Sequence, residues 1–408
     1  MLFRLECKKI VRSAAFLIYC VISVLFIATN YYSDCKGGVY FGEGTKIVED
    51  HELIMYGALN SLMGEYAANK YVCYPFGYYK AVHLKEKDQQ KIAGYLREMT
   101  GTDEKEFEEL LSTGEKYYVG MSDKPVYGFH DVRMTEGFSY DRFLEIMTDT
   151  DDMLGGGSDY APDSLLALYS GVDMTDEELK EEYRAFIEDD KVTGGLARLF
   201  CDYVGIDLAI LPVFVAAWLT SADRKRRMHE LVYTRKISSA KLVFTRYAAL
   251  VFTMFIPVVL EMIVALIQAV VEYNGESLDM TAMFTLPTFW LLPNLLFTTA
   301  AGVLITEVFS APAAIFAQVV IWFKATITAS RMLSGKIGRF DLVCRHNSPT
   351  DRSAFLMNHD NFIFSRIFWT VISLVLVVLA VYAYDAKRGG RFNGIRLFGK
   401  GGLLRRKA

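Results

Sequence analysis

The sequence predicts an α-helical polytopic membrane protein. It has six transmembrane helices, with a large, mainly helical extracellular domain between the first and second. Three observations carry that prediction. The chain of 408 residues is 52% hydrophobic, enough to supply several lipid-facing helices. Its apolar residues gather into six runs, at about 13–31, 203–220, 246–271, 282–305, 310–328 and 367–384. Each is near the roughly 20 residues that cross a hydrocarbon core as a helix. The charge is also unevenly divided. The net formal charge is −4, yet residues 31–198 carry 34 acidic and 17 basic side chains, so this stretch sums to −17 and the rest to +13.

Backbone polar groups in lipid must be satisfied internally, so the runs are read as helices. Lys and Arg in short loops favour the cytoplasmic side. Arg4, Lys8, Lys9 and Arg12 keep segment 1–12 inside and send the first span (13–31) outward. No small-x-small cleavage site follows Ala28, and Tyr19 is too bulky to precede a lipoprotein cysteine at Cys20, so this span is expected to stay uncleaved. Alternation returns the loop 221–245 to the inside. Arg224, Lys225, Arg226, Arg227, Arg235, Lys236 and Lys241 lie in it, and Arg246 follows. The tight turn Thr306–Phe309 is inside as well. So is the tail 385–408, with Lys387, Arg388, Arg391, Arg396, Lys400, Arg405, Arg406 and Lys407. The segment 329–366 is placed outside before the sixth span (367–384), although it holds Arg331, Lys336, Arg339, Arg345, Arg352 and Arg366.

The acidic stretch 32–198 is long enough to bury its own core. Thr175–Glu178 is a capping box that opens a helix to about Asp189, and Asp103–Glu106 caps another through Leu111. Leu53, Tyr56, Leu59, Leu62 and Met63 recur at helical spacing over 52–68. Gly155, Gly156, Gly157, Ser158 and Pro162 mark a loop. The acidity reads first as a solvated surface; attraction of a cationic peptide is the sharper alternative. Cys7, Cys20 and Cys201 are in or near spans. Cys35, Cys73 and Cys344 fall where a disulfide is permitted, and Cys35–Cys73 is a candidate bridge.

No catalytic or metal-binding pattern is found. Ser334-Gly335-Lys336-Ile337 lacks the glycine loop of a nucleotide site. Tyr233 stands where a zinc helix starting at His229 needs its second His. In the calcium-like run from Asp149, Leu154 and Tyr160 replace the required Gly and Glu. The chain is therefore read as no enzyme, with no metal and no cofactor of its own, working in a lipid bilayer and not on nucleic acid. Any ATP-driven work is powered by another chain.

Glu261 lies in the middle of the third run, with Pro257, Ala265, Gln268 and Glu272 on the same stripe. A charge there is expensive and should face the bundle or a watery path. Glu261 then makes an interhelical hydrogen bond or, with Gln268, lines a translocation route. Asp202 and Asp207 read as interfacial residues at the outer end of the second span. Pro212, Pro257, Pro287, Pro293 and Pro312 can kink their helices.

Three groups of residues then resemble a family. The first is Arg224–Arg227, Glu230-Leu231, Ile237-Ser238-Ser239-Ala240-Lys241 and Arg246, between the second and third of six spans. The second is Asn361–Arg366 leading into the last span, with its Lys387-Arg388 exit. The third is Leu154–Ser158, then Leu199–Tyr203 and Leu211–Phe214. In this order they resemble the permease subunits of type-2 ATP-binding-cassette (ABC) exporters. The resemblance implies a plasma-membrane protein with both termini inside, paired as a homo- or heterodimer of permease chains. A separate ATPase subunit would bind ATP and Mg, and a peptide, lipid or drug-like substrate would be exported. It also implies an amphipathic interface helix at 1–12, with Leu2, Phe3 and Ile10 against Arg4, Lys8 and Lys9. The loop after the second span becomes a coupling helix, Ala222–Tyr233, capped by Ser221 with Asp223 near its positive end. Met228, Leu231 and Val232 would share its apolar side, rimmed by Arg227 and Glu230. A different class of function is a membrane-anchored peptide sensor or immunity protein with an acidic binding domain.

Overall fold

The computed structural model describes residues 1–39, 41, 44–75, 79–117, 126–225, 233–234, 236–331 and 337–392. The chain divides into two compact units. One comprises Met1–Phe41 and Glu177 onward, and the other is Gly42–Asp176.

The chain opens with α1 (Leu2–Val11), the expected amphipathic helix. Glu6 and Ile10 are buried, and Phe3 packs against the Phe252 ring at 5.7 Å. Ser13 then caps α2 (Ala14–Thr29) by accepting from Phe16 N at 3.1 Å, and the short α3 (Tyr31–Asp34) continues it.

The inserted unit is built around α4 (His51–Ala68). It is joined by α5 (Glu86–Thr100), α6 (Glu104–Ser112), α7 (Tyr140–Leu154) and α8 (Pro162–Tyr169). Three two-stranded antiparallel pairs complete it. β1 (Thr45–Ile47) pairs with β6 (Gly171–Asp173) and closes the ends of the unit. β2 (Tyr71–Cys73) pairs with β3 (Lys80–Val82), and β4 (Glu115–Tyr117) with β5 (Val126–Gly128). The Asp103–Glu106 capping box is present. Gly155, Gly156 and Gly157 all have positive φ, so the expected loop is a left-handed turn that ends α7. The buried face of α4 uses Ile54, Ala58, Leu59, Leu62 and Met63, and Tyr56 is exposed. At Gly64 a Cβ would collide with the Tyr127 carbonyl, so only glycine lets β5 lie this close.

The unit is narrower than the expected 32–198. After α9 (Asp176–Arg184) and its π-helical turn Ala185–Asp189, the chain already packs on the membrane unit. Phe41 meets Tyr183 at 5.0 Å and Phe186 at 5.6 Å, and Arg198 donates to Asp190 at 3.0 Å.

Among the described residues, five stretches are long and apolar enough to cross a membrane: Ala14–Asp34, Thr193–Asp223, Ser239–Glu272, Ala282–Val308 and His359–Arg388. This is the architecture of an α-helical multi-pass membrane protein. The second stretch is not one helix. It is α10 (Thr193–Leu208) and α11 (Pro212–Lys225), broken at 209–211. Next come α12 (Ser239–Glu272), α13 (Ala282–Val308) and α14 (Ala311–Arg331). Of the expected fifth span, 310–328, only the shorter stretch Ala311–Ile327 is an apolar helix. After α15 (Arg352–Met357), α16 (His359–Arg388) starts well before residue 367. The broken stretch is 72% buried against 22% for each of the first and last, so it forms the centre of the bundle.

The break has a direct cause. Pro212 has no N–H for the Leu208 carbonyl. Ile210 and Leu211 donate back to Asp207 O instead, at 3.1 and 2.9 Å. Neighbouring side chains serve the other carbonyls. Asn294 donates to Gly205 O at 3.2 Å, Trp322 to Ile206 O at 3.0 Å and Gln318 to Ala209 O at 2.6 Å. Irregular backbone inside a bundle is tolerated when it is served in this way.

The segment 338–351 folds over the start of α10. Asp202 is fully buried and accepts from His346 N at 2.6 Å and Asn347 N at 2.8 Å. Two of the arginines that opposed an outside placement are not free charges. Arg352 pairs with Asp190 at 3.2 Å. Arg366 is buried inside α16, where it donates to Trp290 O, Asn294 Oδ1, Asp341 O and Leu342 O at 2.6–3.0 Å.

Candidate functional site

Three helices of the membrane unit bring polar side chains together in its interior. α2 supplies Ser23, α10 supplies Asp207 just before the break, and α12 supplies Glu261. They are 0%, 5% and 5% exposed. Asp207 and Glu261 act on each other electrostatically, and Ser23 faces both. The Ser23 hydroxyl is nevertheless outside hydrogen-bond geometry with either. Asp207 Oδ2, both Glu261 carboxyl oxygens and Ser23 Oγ have no hydrogen-bond partner.

The surrounding donors are committed elsewhere. Tyr19 OH donates to Met254 O at 2.8 Å, and Tyr32 OH to the main-chain carbonyl of Glu261 at 3.1 Å. Gln268 is on the Glu261 stripe, as expected. Its amide donates to Tyr32 O at 3.3 Å, and its own oxygen is unpartnered. The other stripe residues divide: Pro257 and Ala265 are buried, and Glu272 is exposed.

Asp202 and Asp207 were expected at the membrane interface, and both are buried. For Asp207 the reason is the earlier start of α10 at Thr193, which moves the aspartate deep into the bundle. The missed signal was Pro212, which makes Asp207 the last carbonyl before a broken helix. Cys35 and Cys73 do not bridge. Both are free thiols, and each is enclosed in the core of its own unit. Burial pushes Cys35 up to about 12 and Cys73 up to about 11, so both stay protonated.

A second polar cluster lies where α1 meets α11 and α12. Lys9 Nζ is 3.4 Å from Asp223, and Arg246 is 3.2 Å from Glu6 and also pairs with Asp223. The expected coupling residues Arg227, Met228, Glu230, Leu231 and Val232 lie outside the described residues. Their flank corrects one expectation. Ser221 is no helix cap; it is inside α11, where its hydroxyl donates to Trp218 O at 3.2 Å. Asp223 is thus near the negative end of α11, and Lys9 and Arg246 offset the unfavourable dipole. Beyond the loop, Arg388 donates to the carbonyls of Tyr233 (3.0 Å) and Ile237, and Ser239 donates to Asp385 at 2.7 Å.

A groove of about 720 Å³ runs between α13 and α16, with Phe284, Phe289, Leu292, Ile367 and Val371 in its walls. Its lining is mostly apolar, with Thr285, Thr288, Arg366 and Thr370 as its polar members, and includes neither Asp207 nor Glu261. Among the described residues no group of three or more His, Cys, Asp or Glu could hold a metal ion. Comparison with family models, with curated proteins and with solved structures finds no match to this chain.

Proposed function

We propose that this chain is the membrane-spanning permease subunit of an ABC-type exporter, with 221–245 as the loop on which a separate ATPase docks. The observation that carries this reading is how that loop is anchored. Asp223 at its start and Arg246 just after it are tied to each other and to Lys9 and Glu6 of α1. Arg388 and Asp385 of α16 hold its far flank. A push on the loop therefore reaches α1, α11, α12 and α16 together. The basic residues of 221–245 support a cytoplasmic loop, with the unit 42–176 outside the plasma membrane. Met228, Leu231 and Val232 are the apolar anchors, and Arg227 and Glu230 set the orientation. Two permease chains, homo- or heterodimeric, complete the transporter, and ATP and Mg bind the ATPase. Glu261 and Gln268 line the route of an exported peptide, lipid or drug-like molecule.

Arginines that only held topology against anionic lipid would contribute about 1 kcal/mol each. Leu231→Ala combined with Glu230→Lys separates the two roles, because the loop stays strongly basic. The variant should insert normally, yet lose co-purification with the ATPase and substrate-stimulated ATP hydrolysis. Wild-type levels of both would remove the coupling role. One observation favours a second reading, a membrane-anchored sensor or immunity protein for a cationic peptide. The unit 42–176 has a core of its own and a strong acidic excess. In that case the double variant changes nothing, and peptide binding by the full chain needs no ATPase.

A further inference from the structure

We propose that Asp207, Glu261 and Ser23 form a binding site for one compact monovalent cation, sodium or a proton, at the break in the central helix. The proposal does not depend on the exporter reading, because its test needs no ATPase.

The first argument is a shortage of donors. Four acceptor oxygens converge with no partner: Asp207 Oδ2, Glu261 Oε1 and Oε2, and Ser23 Oγ. With both carboxyls ionised, the only polar hydrogen among these three side chains is the Ser23 hydroxyl. Among the described residues no Lys, Arg or His acts on either carboxyl group. The titratable groups that face the pair are Tyr19 and Cys20 on α2 and Tyr32 on α3. Both phenols donate to main-chain carbonyls instead. Two carboxylates buried side by side without a counter-charge repel one another and lose hydration. One bound cation answers both problems.

The second argument is geometric. The Ser23 side chain is fully buried beside both carboxyls, and its hydroxyl has no hydrogen-bond partner among the described residues. An ion between them would take the hydroxyl oxygen and the carboxyl oxygens as ligands together. The three ligands come from α2, α10 and α12, so occupancy would tie three helices together at the unwound segment 209–211. Discontinuous helices in the membrane interior are where transporters hold coupling ions. The near-complete burial of all three side chains suits a bare ion better than a chain-like substrate.

The experiment uses the full chain in detergent and reads thermal unfolding. Sodium chloride replaces choline chloride at constant ionic strength and pH 8. In a second series choline is kept and the pH is lowered from 8 to 5. If sodium is the ligand, the wild-type midpoint rises by several degrees and saturates, and Asp207→Asn and Glu261→Gln abolish the rise. Ser23→Ala, which keeps both carboxyls, should weaken the sodium response at least several-fold. If a proton is the ligand, sodium has no effect. The wild-type midpoint then rises on acidification by more than in the two amide variants, which retain every other titrating group. Equal responses of wild type and both amide variants in both series would overturn the proposal. Should the amide variants fail to fold, an unchanged sodium and pH response in Ser23→Ala overturns it instead.

Discussion

Two polar clusters in the same helical unit are made from similar residues and solved in opposite ways. Where α1 meets α11 and α12, Glu6 and Asp223 are matched by Lys9 and Arg246 within about one contact shell. At the helix break, Asp207 and Glu261 are more deeply buried and have no cation at all. Matched charges hold elements in register. Unmatched ones raise the free energy of the empty fold and leave room for something to arrive. Arg366 shows that the chain can also hold a buried charge without a direct ion pair, by surrounding it with carbonyls. The bare carboxyls at 207 and 261 are therefore a feature of their own place.

The largest effect should come from breaking the matched cluster. Arg246→Ala leaves Asp223 and Glu6 with only Lys9, while the side chains remain largely buried. Removing one partner of a buried pair strands the other charge, at a cost on the order of 3–5 kcal/mol. A fall in the unfolding midpoint of the full chain, with partial rescue when Asp223→Asn is added, is the expected result. No fall would mean that the cluster is not what holds α1 in place.

How much of this contrast is legible in the sequence depends on which force wrote each feature. The apolar runs are set by hydrocarbon burial over many residues, so their positions are readable, and so is the Asp103–Glu106 cap, which is local. Glu261 was readable because a lone charge in an apolar run has few innocent explanations. Asp207 was not. Near the end of an apolar run it looked interfacial, and only the helix start at Thr193 and the break at Pro212 bring it inside. The edge of the inserted unit was hidden for a similar reason. Glu182 and Asp190 add to the acidic count, yet they bond Asp351 N and Arg198 of the membrane unit. Charge composition cannot report such pairings, because they are made across long stretches of chain.

A carboxyl in the inserted unit is an intermediate case and predicts a smaller effect. Glu65 is mostly enclosed but has two donors, Val72 N at 2.8 Å and Tyr160 OH at 2.7 Å. Burial outweighs both and raises its pKa to about 7, from an ordinary value near 4.5. A raised folded pKa stabilises the fold fully below pH 4.5, and that contribution is lost as pH rises through 7. The inserted unit should thus loosen by about 1–3 kcal/mol between pH 4.5 and 8. Hydrogen exchange of residues 58–68, corrected for intrinsic rates, measures this in the full chain. Glu65→Gln should flatten the profile, and an unchanged slope in that variant would assign it elsewhere.

The smallest effect on stability, and the most telling, is expected at Glu261. If its carboxyl were a packing group, replacing it would cost the hydrogen bonds it makes, but its side-chain oxygens make none. Glu261→Gln keeps the shape and removes the ionisation, so the empty fold should change by less than about 1 kcal/mol, and a gain would be natural because the charge penalty disappears. This is the reverse of Arg246→Ala, and the difference in sign between the two variants is the sharpest test of the contrast between the clusters. Glu261→Leu goes further by removing every polar atom. It should still insert and fold, since Met262 and Ala265 already pack the same helix in the core. Normal transport with normal stability in the Leu variant would reduce Glu261 to a tolerated side chain. Normal stability with lost transport would make the bare carboxyl a working part of the route.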